Sequence, residues 1–316
     1  MGADGDSGRD ASRGSPVLSV LLPAYNAADT IRAAAESVLN GTTAALELII
    51  VDDGSTDGTG AAVVDLASDR RVRVISRPNK GLSASLNEAI AYASAPFIAR
   101  MDADDVSMPD RFEAQLRYLA DNPDVVMVGG QIRRIIRGEI ESTSQLPLKH
   151  DEIVAALVRG QHAICHPTVM IRRSALDLVG GYWEHGLAED WDMYLRLAEV
   201  GRIANIDQHV LDYTFSDTSI NAKSMLTVRV NIALAVRNHY RRSCGMETLE
   251  PQAFVNDLTV PDRMRIRAES LSLGLYRKSL IAGTSNKVAK SVLLAGAAAS
   301  WPPFAVRRLR QAAHAT

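Results

Sequence analysis

The stretch RMDADDVSMPDR, residues 100–111, crowds Asp102, Asp104 and Asp105 into four positions directly after the apolar run APFIA. Like charges at that spacing repel, so holding them together calls for compensation. Three readings fit. The carboxylates could hold a hard divalent cation, which prefers oxygen ligands and, as Mg2+, often takes one or two carboxylates plus substrate phosphates. They could open a helix, or lie in a solvated loop. Ser107 and Asp110, with Pro109 in the first turn, read as a capping box for the helix that follows. That accounts for SMPD and leaves the three aspartates before it unexplained.

Two further acidic groups stand out. VDDGSTDGT carries Asp52 and Asp53 among turn-forming pairs that need no ligand. A carboxylate at a strand end can equally accept a hydrogen bond from a base N–H or a ribose hydroxyl. The glycines Gly54, Gly58 and Gly60 match neither a P-loop nor a dinucleotide fingerprint. In GLAEDWDMYLRLAEVG, residues 186–201, Trp191, Leu195 and Ala198 have helical spacing, which puts Glu189 and Asp190 in a first turn. Acids there favour the positive end of the helix dipole; the alternative is a carboxylate aimed into a cleft as a general base. His162, His166 and His209 read as structural, and no G-x-S-x-G nucleophile elbow is present.

The elements that must position these groups alternate. VLSVLL, LELIIV, VRVI, PFIARM and VVMVGG read as strands, and helices are expected over 29–40 (capped by Asp29 or Thr30), 60–68, 82–93 and 109–122. Such alternation argues for an α/β layer architecture with a mostly parallel sheet. In sheets of that kind ligands bind beyond the carboxyl ends of the strands. PAYN, DDGSTD and DADD all fall there. Beyond about residue 215 the pattern turns helical, with Met225, Val228, Ile232 and Val236 along one stripe, so 216–316 reads as a helical appendage. Residues 1–15 are polar and Gly/Ser/Asp-rich, and read as a disordered tail without the apolar core of a signal peptide.

With 316 residues the chain can bury a sizeable core, and 47 % hydrophobic and 23 % charged residues are ordinary for a globular protein. A net charge of -2 gives no argument for nucleic-acid binding. The two cysteines, Cys165 and Cys244, make no disulfide framework and fit a reducing compartment. No apolar run is long enough to span a membrane.

Together VLSVLLPAYNAADTIRAAAESVLN, ELIIVDDGSTDGT, NKGLSASLNEAI, FIARMDADDVSMPDRFEAQL and AEDWDMYLRL, in this order between residues 16 and 213, resemble family-2 glycosyltransferases. The resemblance implies the GT-A fold, a Rossmann-like nucleotide-binding domain with a DxD motif, over residues 16–215. It implies that Pro23, Ala24 and Tyr25 lie near the nucleotide and that Asp53, supported by Asp52, meets a uracil-type base, with Asn79 and Lys80 close by. Asp102 and Ala103 would meet the ribose side, and Asp104 and Asp105 a Mn2+ or Mg2+ ion and the diphosphate. Asp190 would be the catalytic base, with Glu189 its neighbour; Trp183 and His166 would line the acceptor side. The implied reaction moves one sugar from a nucleotide sugar, UDP-type, to a saccharide or lipid-linked saccharide acceptor. A sugar nucleotidyltransferase and a non-catalytic nucleotide-sugar-binding module are the alternatives. No Q-x-x-R-W signature follows the base, which speaks against processive synthesis. The C-terminal SWPPFAVRRLRQAAH mixes aromatic and basic residues and suits either an anionic membrane interface or packing on a second subunit. The expected location is cytoplasmic, with peripheral contact on the inner face of the membrane.

Overall fold

Strand residues alternate between two faces, and each face has its own core. In β1 (Leu18–Ala24) the residues Leu18, Val20, Leu22 and Ala24 enter one apolar cluster, while Leu21 enters the other. In β2 (Leu46–Asp52) Leu48 and Ile50 face the first cluster and Ile49 and Val51 the second. A strand covered on both sides reads as a continuous apolar run, which is why these two were legible. The computed structural model describes residues 15–184, 186–215, 224–282 and 287–303, so the expected N-terminal tail and most of the C-terminal aromatic-basic segment lie outside the described residues.

From β1 the chain passes through α1 (Ile31–Asn40), β2, α2 (Thr59–Leu66) and β3 (Val72–Ser76), then returns through α3 (Leu82–Tyr92) to β4 (Phe97–Arg100) on the other side of β1. These four strands are mutually parallel. The reversal of direction opens a crevice beyond the carboxyl ends of β1 and β4, the usual binding place in such sheets. After β4 come β5 (Val106–Ser107), α4 (Arg111–Asp121), β6 (Val125–Ile136), β7 (Glu139–Thr143), α5 (His150–Val158), a 3-10 turn (His166–Thr168), β8 (Met170–Arg172), α6 (Arg173–Val179), α7 (Glu189–Val200) and β9 (Arg202–Thr214). The sheet order is β3-β2-β1-β4-β8-β6-β9-β5, with β7 paired to β6. The long β6–β9 ladder is parallel; β8 and β5 join antiparallel. β4 and β5 are far apart in that order yet joined through a compact turn in which Asp105 N donates to Asp102 O. The sheet therefore curls, and its last strands return over the end of β4.

The expected capping box is not formed. α4 starts at Arg111, Asp110 precedes it in the left-handed region (φ 62°) without a side-chain cap, and Ser107 belongs to β5. Pairing of Val106 and Ser107 with Asp212 and Leu211 outweighs the local capping preference. At α1 the expected cap position Thr30 also makes no capping bond.

From Ser224 onward the regular elements among the described residues are helices: α8 (Met225–Ser243), α9 (Pro251–Asp257), α10 (Val260–Ala282) and α11 (Lys287–Ser300). Val228, Ile232 and Val236 of the expected stripe pack into the second core cluster. Arg229 donates to Gly160 O (2.9 Å) and Asn231 to Leu187 O (2.7 Å), so α8 braces the start of α7. No described helix is long and apolar enough to cross a membrane.

Candidate active site

Three loops meet at the crevice. At the end of β1, Pro23 and Ala24 are buried, and Tyr25 just beyond it stands 50 % exposed. Asn26 turns the chain in the left-handed region and accepts from Thr56 N (2.8 Å), while Asp57 accepts from Ala28 N (3.1 Å). These bonds stitch PAYN to DDGSTDGT. Asp52 accepts from Ser55 N (3.1 Å). Asp53, 4 % exposed, accepts from Lys80 N and Gly81 N (both 2.8 Å) and pairs with the Arg77 guanidinium at 2.5 Å. A carboxylate offers about four acceptor positions, so Asp53 retains one, on Oδ2. Asn79 and Lys80 are exposed in the loop that Asp53 anchors. Gly54, at φ 75°, lets this loop approach: a Cβ there would lie 2.6 Å from Asn79 N. No side chain other than hydrogen fits.

The acidic turn after β4 differs. Oxygens of Asp102, Asp104 and Asp105 lie within 4.8 Å of one another. Asp102 pairs with Arg100 at 2.5 Å. Asp105, 1 % exposed, accepts one bond from Thr214 N (2.8 Å), and its Oδ2 is buried with no partner among the described residues. Burial, then the Asp102 and Asp104 charges, pushes its carboxyl well above the usual range. Asp104 lies exposed at the tip, its carboxyl pushed up to about 6 by desolvation and by Asp102. Ala103, between them, is buried. An orphaned buried oxygen in a set of three carboxylates suits a hard divalent cation, which would cancel the repulsion that raises these groups. Asp102 thus joins Asp104 and Asp105 as a candidate ligand.

Glu189 and Asp190 open α7 in the first turn, where the spacing placed them. Dipole stabilisation at a wet helix end would lower their pKa. Instead burial, followed by the Asp190 charge, pushes Glu189 up to about 8, and burial raises Asp190 as well. Among the described residues Asp190 accepts from its neighbour Trp191 N (2.8 Å), which leaves acceptor capacity. Glu189 stands 3.9 Å from His166 Nδ1, and the other ring nitrogen of His166 is 2.9 Å from the Tyr182 hydroxyl. Burial and the Arg100 charge hold His166 well below its usual value, hence neutral. Trp183 is half-buried in the segment before α7.

Sequence reasoning missed two cations. Arg100 is 4 % exposed; burial works against its charge, and Asp102, Tyr182 and Asp105 more than offset that, so it stays protonated. Its charge reaches Asp104, Asp105, Glu189 and Asp190 alike, which links the two acidic groups. Arg111, fully buried, donates to Arg100 O (2.9 Å) and to Gln115, and burial lowers it to about 9. The signal was there: a basic residue closing an apolar strand, and another opening a helix beside it.

The family description "Glycosyl transferase family 2" matches residues 19–180. The chain is 31% identical to the putative glycosyltransferase EpsE of Bacillus subtilis (strain 168), over 72% of this chain and 83% of that protein. It is 28% identical to a chondroitin synthase of Pasteurella multocida (strain Pm70) over 72% of this chain, spanning only 23% of that larger protein. Among solved structures, S. aureus TarS 1-349 aligns with a TM-score of 0.56 at 15% identity, covering 90% of this chain and 91% of that one. Mannosyltransferase PcManGT from Pyrobaculum calidifontis, solved with GDP-Man and Mn2+, aligns with a TM-score of 0.55 at 19% identity, covering 94% and 84%. The curled α/β sheet is that of the GT-A glycosyltransferases, and the chain belongs to glycosyl transferase family 2.

Proposed function

We propose that this glycosyltransferase moves one sugar from a nucleotide sugar, UDP-type, to a saccharide or lipid-linked saccharide acceptor, with inversion at the transferred carbon. The observation that carries the reading is the unmet buried oxygen of Asp105 in a three-carboxylate turn whose companion cation, Arg100, also acts on the Asp190 carboxylate. TarS solved with UDP-GlcNAc supports the donor class. The donor's nucleotide would lie along PAYN and the loop anchored by Asp53, with the ribose toward Asp102.

Asp102, Asp104 and Asp105 would hold the Mn2+ or Mg2+ ion, which when bound offsets the charge gathering on the leaving diphosphate. Asp190 accepts the proton of the acceptor hydroxyl as its oxygen attacks the anomeric carbon, and the carbon–diphosphate bond breaks on the opposite face. Glu189, protonated near neutral pH, leaves Asp190 as the charged member of the pair. One base and no carboxylate nucleophile make a single displacement, hence inversion; by analogy, glycosidases need a second carboxylate only for retention. Trp183 and His166 would border the acceptor. The helical region and the membrane's inner face would bring a lipid-linked acceptor within reach.

A screen of nucleotide sugars with Mn2+ or Mg2+ tests the reading. Release of nucleoside diphosphate is expected; release of pyrophosphate would instead indicate nucleotidyl transfer. Asp190→Asn should retain nucleotide-sugar affinity and lose turnover by about a hundredfold to ten-thousandfold. Wild-type turnover in that variant would remove Asp190 from the mechanism.

A further inference from the structure

Helix α10 has an uncovered face of unusual composition. Its inner side is held by buried Ile266, Ser272 and Leu280, and α11 joins it through the Ser272 hydroxyl, which donates to Ala297 O (2.7 Å). On the outer side Val260, Met264, Arg267, Leu271 and Lys278 recur at helical spacing, one above the other. Val260 is 69% exposed, Met264 66% and Leu271 57%. Leu226 of α8, 46% exposed, borders the same stripe, and with Arg267, Leu271 and Lys278 it lines a shallow groove of about 370 Å3. Large apolar side chains gathered in one exposed stripe mark a contact surface.

The charge around the stripe identifies the partner. Residues 260–300 contain seven Lys or Arg and two Asp or Glu, in a chain that otherwise carries more acid than base, 37 against 35 overall. Both acids are engaged: Glu269 by Arg229, and Asp262 by the Thr259 hydroxyl at 2.6 Å. Asp262 also lies 3.8 Å from Arg265, so the α10–α11 pair keeps a basic surplus, and on the stripe itself Arg267 and Lys278 supply the positive charge. Lys is depleted from protein–protein interfaces, and a two-fold contact would bring the Arg267 and Lys278 charges of one copy toward those of the other. At a bilayer surface the same mixture is favourable, because apolar side chains enter the acyl boundary while Arg and Lys stems reach the headgroups.

We propose that the outer face of α10, with Leu226, docks peripherally on an anionic lipid bilayer. The contact is a surface one, since no described helix can cross a membrane.

Sedimentation of the full chain with vesicles tests this. The wild type should bind phosphatidylglycerol-containing vesicles and not pure phosphatidylcholine, and salt should weaken the binding. Arg267→Gln with Lys278→Gln should weaken it about tenfold or more, and Met264→Ser with Leu271→Ser should do so in a separate variant. Both pairs are exposed, so thermal melts should match the wild type. Equal affinity for neutral and anionic vesicles, no binding, or wild-type binding by both variants would overturn the proposal. A wild-type dimer that Met264→Ser with Leu271→Ser splits, without vesicle binding, would assign the face to a second copy instead.

Discussion

Two strand ends on either side of β1 each carry paired aspartates, and they use them in opposite ways. Asp53, after β2, spends its charge on the protein itself: Arg77 and two backbone N–H groups bind it. Asp105, after β4, has one N–H donor and an oxygen that nothing described satisfies. A carboxylate with both oxygens bonded organises a loop; one with a buried unmet oxygen is costly unless something external completes it. The first aspartate thus anchors a loop and the second keeps an oxygen open, although DDGS and DADD look alike as strings.

Asp105→Asn puts the contrast to its hardest test. Turnover should fall on the order of a hundredfold or more, because the proposed cation, which would offset leaving-group charge, loses a ligand. Thermal stability without added metal should hold or rise, since the unmet charge goes with it. A stability loss matching that of Asp53→Asn would erase the distinction. Asp53→Asn should cost about 1.5–3 kcal/mol in denaturant unfolding, because the loop loses a charged acceptor for two backbone N–H groups and Arg77, while Glu88 still pairs with Arg77. Gly54→Ala should cost roughly 2 kcal/mol by the same assay, from the left-handed backbone and the close Asn79 amide.

A pH dependence extends the contrast to α7. The Glu189 carboxyl is raised from 4.5 to about 8. Below 4.5 its stability contribution is full, and it is lost as pH rises toward 8, because the unfolded chain releases the proton first. Melting temperatures followed from pH 5 to 8 should therefore decline less in Glu189→Gln than in the wild type. Parallel slopes would mean that Glu189 is ionised in the folded protein.

Much of the site was legible because its placement is local. The loops after β1, β2 and β4 follow uninterrupted apolar strands, and helical spacing alone set Glu189 and Asp190 in the first turn of α7. The second half of the sheet was not: β8 has three residues and β5 two, too short for any period to register. Ser107 shows the same limit, since its local capping signal lost to a strand partner about a hundred residues away.

By itself, then, the sequence determined the alternation of strands and helices, the order of the acidic loops and the family they belong to, all of which depend on neighbours a few residues apart. Only the tertiary structure decided what each acid does. Arg77 reaches Asp53 across 24 residues and Thr214 reaches Asp105 across 109. Burial, which sets whether a carboxylate stays charged, depends on the packing of both sheet faces and is written at no single position.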